Sequence, residues 1–257
     1  MRCNSAGVRP LVHVAGVVCV LALGGVAAAQ TSATFYPSLD NTLFQSTTGN
    51  RSAGAQDSFY TGRIDVANGG VRRGLVQFDL SSIPVGSVVT GASLQLYLIQ
   101  GQGGVEITLH RTLASWGEGT SAGGMGRGSA STPGDATWIH RFFSNQFWTT
   151  PGGDFLSTPS GSTTLSTSGP FHTWSGAGVS NDLQFWINNP AQNFGWTVRG
   201  DESTRQTAER WASGEAAGGA EFWPTLSVTY VIPGPGVAAM GGLGLLAASR
   251  RRRAGGH

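Results

Sequence analysis

Tryptophan, arginine and acidic residues give this sequence its clearest chemical possibility, which is the binding of a sugar. A flat aromatic ring can stack on the apolar C–H face of a sugar, and planar charged groups can hydrogen-bond to hydroxyls or uronates. Three tryptophans stand among Gly, Ser, Thr and Pro and are predicted to line loops as carbohydrate-binding residues: Trp116, Trp148 and Trp174. Four charged residues could supply the hydrogen bonds: Arg141, Asp201, Glu202 and Arg210. Two alternatives stay open, because a loop tryptophan can plug a core and each charged residue can form a surface salt bridge.

Motifs for catalysis are weak in this sequence. Residues 119–123 read GTSAG and match the G-x-S-x-G elbow, but more glycine follows where that motif requires a helix. A carboxylate pair such as Glu118 and Glu202 could cleave glycosides, yet no spacing selects that pair. A zinc site is not indicated, because the histidines are scattered: His110, His140 and His172. We therefore predict no catalytic residues.

A bound metal ion cannot be assigned from the sequence. Sandwich modules often hold a structural calcium on carboxylates and carbonyls, so calcium stays an open alternative. No D-x-D-x-D loop is present, however, and no ligands stand out. We predict no other cofactor.

Composition and charge favour a loop-rich β domain and argue against nucleic acid as a partner. Of 257 residues, 40 are Gly and only 12% are charged, which suits an all-β domain better than a helical bundle. All the basic residues are Arg, and several lie at the chain ends: Arg2, Arg9 and Arg250 to Arg253. The body of the chain is therefore acidic and lacks the basic footprint that nucleic acid requires.

The N-terminal residues have the pattern of a secretory signal. Arg2 and Arg9 precede an apolar run that finishes on Ala27-Ala28-Ala29. We predict a signal peptide over residues 1–29, removed by signal peptidase after Ala29; a lipoprotein cut before Cys19 is the alternative. Cys3 and Cys19 are the only cysteines, so the domain that follows is predicted to fold without a disulfide.

The C-terminal residues read as a sorting tail rather than a permanent anchor. A Pro-Gly-Pro sequence precedes the apolar stretch Val237 to Ser249, and an Arg cluster follows it. At 1.5 Å per residue that stretch spans about 20 Å as a helix, against about 30 Å for the hydrocarbon core of a bilayer. This order resembles the PEP-CTERM type of tail, which implies transient membrane association and removal by a membrane protease of the exosortase class.

The middle of the chain alternates between apolar and polar residues with a period of two. Val76, Phe78 and Leu80 share one face, and after a turn at residues 83–86 another alternating run covers residues 92–98. Residues 106–113, 194–200 and 224–231 repeat the pattern. We therefore predict an all-β fold, a single β-sandwich or jelly-roll domain over residues 30–232.

One segment departs from this alternation. Val179, Leu183, Trp186 and Ile187 have the spacing of one helical face, with Ser180 or Asn181 available as a cap and Asn189-Pro190 as a stop. We predict one short helix that closes the sandwich. Trp138 and Trp186 are predicted to be core residues, and so is Trp196, which shares strand parity with Phe194.

Five blocks of sequence, in order, resemble the DNRLRE domain family. They are RRGLVQFDLSSIPVGSVVTGASLQLYL, SWGEGTS, GDATWIHRFF, WTTPGGDF and NFGWTVRGDES, and the resemblance covers roughly Thr34 to Tyr230. It implies a β-sandwich grouped with carbohydrate-binding modules, found on bacterial surface and secreted proteins that often carry a PEP-CTERM tail.

Together these features predict an exported, non-catalytic protein of the cell surface or extracellular matrix that binds a polysaccharide or exopolymer. The predicted order is a signal over residues 1–29, the domain over 30–232 and the sorting tail over 233–257. Two other functions stay open: a structural or adhesion protein without a specific glycan, and a glycan-active lyase or hydrolase.

Overall fold

The computed structural model describes residues 29–167 and 169–234. The predicted signal up to residue 28 and the sorting tail beyond Gly234 lie outside the described residues. Within them the chain forms strands and one α-helix in this order: β1 (Gln30–Phe35), β2 (Pro37–Phe44), β3 (Arg51–Ser52), β4 (Ser58–Arg63), β5 (Val71–Phe78), β6 (Val88–Gln100), β7 (Glu106–Arg111), β8 (Ser129–Ala130), β9 (His140–Phe142), β10 (Gln146–Phe147), β11 (Gly161–Thr164), β12 (Phe171–Ser175), α1 (Ala177–Asn188), β13 (Trp196–Arg199), β14 (Glu209–Ala212) and β15 (Thr225–Val231). Two 3-10 turns cover Met125–Arg127 and Pro190–Gln192.

One large antiparallel sheet curls on itself to form a sandwich. Its strand order is β1-β15-β6-β14-β4-β5-β13-β7-β11, with β12 beside β6 and β2 beside β5. Both halves of the sheet supply side chains to one main core: Leu94 and Leu226 come from the first half, Val76 and Ile107 from the second. The prediction of an all-β sandwich with one short helix is confirmed.

The period-two alternation predicted the buried faces correctly. Val76, Phe78 and Leu80 are buried, while the intervening Gln77 and Asp79 are partly or fully exposed. At the turn before β6, the Ser87 N–H donates to the Pro84 carbonyl (3.0 Å), and φ of Gly86 is +86°. That geometry requires glycine, because other residues are strained at this φ.

Helix α1 closes the sandwich as predicted, although it begins earlier. Its core face is the predicted one: Val179, Leu183, Trp186 and Ile187. The helix starts at Ala177, after Gly176, with no side-chain cap, so the prediction that Ser180 or Asn181 caps it is wrong. The position at which the helix begins is set by the packing of its apolar face against β6 and not by a capping side chain. The helix ends at Asn188, as Asn189-Pro190 indicated. No helix in the described part of the chain is long and apolar enough to cross a membrane.

A second core cluster lies under the long irregular connections between β7 and β11. It is built on Leu43 and Leu75 and carries three indole rings: Trp116, Trp138 and Trp148. The guanidinium of Arg73 lies 4.9 Å from the centroid of the Trp138 ring and covers this small core through a cation–π contact. Segments rich in Gly and Pro are therefore held in place by rings beneath them.

Candidate functional site

The three tryptophans predicted to line loops are buried, so the prediction that they present open faces to a ligand is wrong. Trp116, Trp148 and Trp174 are 3%, 5% and 0% exposed. Each indole N–H donates to a backbone carbonyl: Trp116 to Phe194 (2.9 Å), Trp148 to Thr137 (2.8 Å) and Trp174 to Ile107 (2.9 Å). Trp116 and Trp148 lie in irregular segments, as predicted, whereas Trp174 lies on β12 and faces the main core, so the loop prediction is wrong for Trp174. In all three cases a buried carbonyl satisfies the indole N–H. A sugar cannot stack on such rings in this conformation.

Two of the predicted charged residues hold local backbone structure. Arg141 donates to the backbone carbonyl and the hydroxyl of Ser115, at 3.1 and 2.9 Å. Asp201 accepts hydrogen bonds from the backbone N–H of Ser203 and Thr204 and fixes a turn. Hydrogen bonds from the Ser203 and Thr204 side chains hold the pKa of Asp201 well below its usual range.

Glu202 is engaged by two arginines. Arg73 contacts both of its oxygens, at 2.8 and 2.9 Å, and Arg199 Nε donates to Oε1 at 2.8 Å. Burial alone would raise the pKa of Glu202, but the bonds from Arg73 and Arg199 outweigh it and lower the pKa to about 2. Arg73 lies on β5 and Arg199 on β13, so the carboxylate bridges these two strands. Arg73 also donates to the Gly152 carbonyl and thereby links the bridge to a distant loop. Both oxygens of Glu202 already accept hydrogen bonds from arginine side chains.

Arg210 is the predicted residue that lies in an open cleft, which we call the Tyr97 cleft. Its volume is about 290 Å³, and its walls come from β6, β14 and the connection 213–224. Arg210 and Tyr97 point outward because the alternate residues Trp211 and Leu96 fill the core. Phe222, from the connection, closes the third side.

Aromatic rings form one wall of the Tyr97 cleft. The Tyr97 ring makes edge-to-face contacts with Phe222, at 4.7 Å between centroids, and with Phe171, at 5.1 Å. Phe171 is directly opposite Tyr97 in the β12–β6 register and is 47% exposed. Ile99, the next outward residue of β6, is 42% exposed. The result is an open apolar strip beside polar groups.

The polar side of the cleft is a charged hydrogen-bonding pair. Arg210 Nη2 lies 3.0 Å from Asp57 Oδ1, and Arg210 Nε donates to the Ser58 hydroxyl at 2.9 Å. Hydrogen bonds from Gln56, Ser58 and Arg210 lower the pKa of Asp57 despite its partial burial. At neutral pH the cleft therefore offers a planar donor and an ionised acceptor next to aromatic rings.

The connection 213–224 is held at its beginning by two hydrogen bonds from Ser213. The Ser213 N–H donates to the Asp57 carbonyl at 3.3 Å, and the Ser213 hydroxyl donates to the Gln56 carbonyl at 2.7 Å. Gly218 has φ +109°, and a Cβ there would lie 2.5 Å from the Phe222 ring. Glycine at this position lets the ring turn down onto Tyr97.

A second candidate site is a cluster of three carboxylates, which sequence analysis missed. Ligand oxygens of Asp40, Glu118 and Glu215 lie within 4.8 Å of one another. Asp40 is 1% exposed; its backbone N–H donates to Glu118 Oε1 (2.8 Å), and its Oδ2 accepts from the Gly214 N–H (2.7 Å). None of the ion pairs among the described residues includes a member of this cluster.

Burial and mutual repulsion make the three charges costly. Burial raises the pKa of Asp40 well above its ordinary value, and the neighbouring Glu215 raises it further. Burial also raises the pKa of Glu118 to about 7 and that of Glu215. Such a cluster is stabilised either by holding protons or by a hard divalent cation such as calcium, which takes oxygen ligands. These three residues fit the structural calcium that the sequence left open.

The two sites share one segment of chain. Glu215 belongs to the connection that walls the Tyr97 cleft, and its neighbour Ala216 lines the cleft. Gly214, on the other side of Glu215, bonds to Asp40. The segment that positions Phe222 therefore also carries one carboxylate of the cluster.

The arrangements that sequence analysis considered for catalysis are not assembled. Glu118 contacts Asp40, whereas Glu202 is held by Arg73 and Arg199. Ser121 of the GTSAG segment is 3% exposed and has neither a strand directly before it nor an α-helix after it. The ring nitrogens of His110 and His140 bond to Leu156 and Thr137 respectively. The carboxylate cluster is the one group of possible metal ligands found among the described residues.

Comparison with protein-family models finds no match to this chain. No curated protein matches its sequence either.

Proposed function

We propose that this chain is an exported surface or matrix protein that binds a polysaccharide, without cleaving it, in the Tyr97 cleft. The observation that carries the proposal is the open wall of aromatic rings next to the Arg210–Asp57 pair. A pyranose ring has an apolar face and a rim of hydroxyls, so it matches a surface that joins an aromatic strip to a planar donor and an acceptor. In place of the predicted tryptophans, the proposed site uses the rings of Tyr97 and Phe222, with Phe171 packed against Tyr97.

The resemblance to the DNRLRE family adds support that is independent of the cleft. That family is a sandwich grouped with carbohydrate-binding modules, and the all-β sandwich observed here is compatible with membership. The cleft lies on the outward face of the sheet, where a long chain can pass without entering a deep pocket. We propose this chain as a binding module on the cell's own exopolymer or on another bacterial polysaccharide.

Export and sorting complete the proposal. The N-terminal signal and the C-terminal PEP-CTERM-like tail imply signal peptidase and an exosortase-type protease as processing partners. Mass spectrometry of the protein recovered from cells tests both cuts. We expect an N-terminus at Gln30 and no peptide beyond about Pro235; recovery of His257 from the surface form would exclude removal of the tail.

A glycan array with neutral and acidic polysaccharides tests the binding function. The expected result is retention of one class of polysaccharide by the wild-type chain, with loss when Tyr97 is replaced by Ala. If no polysaccharide is retained, the alternative of a structural or adhesion protein without a specific glycan takes precedence. Shortening of a retained polysaccharide would instead indicate a lyase or hydrolase.

A further inference from the structure

A second cavity, which we call the Trp186 cavity, lies between residues 79–85 and the C-terminal end of α1. Its volume is about 330 Å³, and most of its lining is apolar: Leu80, Ile83, Val85, Trp186, Ile187 and Pro190. Two polar atoms of lining residues, Trp186 Nε1 and Asn193 Oδ1, have no hydrogen-bond partner, and Trp186 is only 2% exposed. Buried donors and acceptors without partners are costly and rare. Both atoms have almost no accessible surface, so what an occupant of the cavity can meet is its uncovered apolar lining.

Apolar side chains continue from the Trp186 cavity onto the surface. Val85, Val88 and Ile232 are 70%, 49% and 46% exposed. They lie close together because Val88 pairs with Val231, the residue before Ile232, and Val85 belongs to the turn that precedes Val88. Strand β15 thus leads the chain out of the domain beside the mouth of the cavity.

The sequence after this exit supplies a matching occupant. Residues 237–249 are apolar, and they begin five positions after Ile232. An extended chain spans at most about 3.3–3.6 Å per residue, so the apolar segment starts within about 18 Å of the exit. A short tether gives an effective concentration in the millimolar range, which a second molecule or another partner seldom reaches in solution. The tethered segment is therefore favoured over an external ligand.

We propose that the apolar segment 237–249 docks in the Trp186 cavity of its own chain. Its aliphatic side chains cover Ile83 and Val85. Docking keeps the segment away from other chains until a membrane takes it up. This site lies outside the Tyr97 cleft, so it stands or falls separately from polysaccharide binding.

Hydrogen exchange on the full chain, without detergent, tests the docking. The comparison is between wild type and a tail variant with Leu243→Asp, Leu245→Asp and Leu246→Asp. We expect amides of residues 81–87 and 191–193 to exchange about tenfold faster in the variant. That factor corresponds to a segment that binds with a Kd of about 0.1 mM at an effective concentration of about 1 mM. The rest of the domain should exchange at the same rate in both chains.

A pair of surface variants provides the matched control. Val85→Asp at the mouth of the cavity should reproduce the faster exchange at residues 191–193. Leu113→Asp, at a residue 49% exposed elsewhere on the surface, should not. Equal exchange in wild type and the tail variant would overturn the proposal. So would protection that disappears on dilution, which indicates a second copy, or protection that appears only with lipid vesicles, which indicates a membrane.

Discussion

The guanidinium of Arg210 lies 3.0 Å from the Asp57 carboxylate, in the cleft that the Tyr97 and Phe222 rings also line. Both side chains are partly exposed, so the pair contributes little to folding and remains accessible to a ligand. A hydrogen bond from a charged group contributes about 1.5–3 kcal/mol. The pair is therefore suited to orienting a bound sugar.

Replacing Arg210 with Gln should weaken polysaccharide binding about tenfold or more, because a charged planar donor is lost. The melting temperature should change by only a few degrees. Calorimetric titration and a thermal melt measure the two effects. Arg51→Gln is the matched control, since Arg51 is exposed and lies outside the cleft. If the Arg210 variant and wild type bind the polysaccharide with equal affinity, Arg210 does not contribute to binding.

Trp148→Ala should destabilise the domain by about 3–5 kcal/mol, because it removes a buried ring and its hydrogen bond to Thr137. Phe147→Ala is the control: Phe147 is the preceding residue and is 59% exposed, so its loss should cost about 0.5 kcal/mol or less. Chemical denaturation measures both. A Trp148 variant that unfolds like wild type would restore the prediction of an exposed loop ring.

Millimolar calcium should raise the melting temperature if the carboxylate cluster binds a cation. At one hundred times Kd a ligand stabilises the folded state by about 2.7 kcal/mol. Glu215→Gln should abolish the effect, while Glu106→Gln, an exposed acid on β7, should leave it intact. If calcium does not shift the melt of wild type, the cluster holds protons instead.

Glu209 should make stability fall as the pH rises. It is fully buried, Thr61 donates to its Oε2, and its Oε1 has no partner. Burial raises its pKa from 4.5 to about 8. The folded state therefore binds a proton that the unfolded state releases, so the stabilisation is complete below pH 4.5 and lost as the pH rises through about 8.

Denaturation curves between pH 4.5 and about 8, the interval between the unfolded and folded pKa values, test this dependence. Glu209→Gln, which stays neutral, should flatten the decline across that range. The Glu209 variant should still lose some stability as the pH rises through the lower part of this range, because the pKa of Glu118 is raised to about 7. An identical pH profile for wild type and the Glu209 variant would contradict the assignment.

The fold could be predicted from the sequence because apolar residues recur with the period of a strand or a helix, and that period identifies the buried face. Leu94 and Leu96 alternate with Gln95 and Tyr97, and the structure buries the first two. Trp148 lies outside any strand, as the loop prediction had it, but its ring is buried rather than open, and there is a physical reason for this. Gly, Thr and Pro around a ring indicate irregular backbone, and irregular backbone can close over a ring as easily as it can leave it open.

The candidate sites were much harder to predict. Asp40, Glu118 and Glu215 come from three distant segments, so no local motif unites them. Tyr97 lies on the outward face of β6, which follows from the alternation predicted for residues 92–98. Its partner Phe222 arrives through a turn around Gly218 that the strand pattern does not describe.

Calorimetric titration of the Tyr97→Ala variant with the polysaccharide that wild type retains tests the central claim most directly. Loss of one stacking ring costs about 1–3 kcal/mol, so affinity should fall about five- to a hundredfold while the melt stays close to that of wild type. Phe147→Ala removes an exposed ring outside the cleft and should bind as wild type does. If the Tyr97 variant folds normally and binds with unchanged affinity, the Tyr97 cleft is not the binding site.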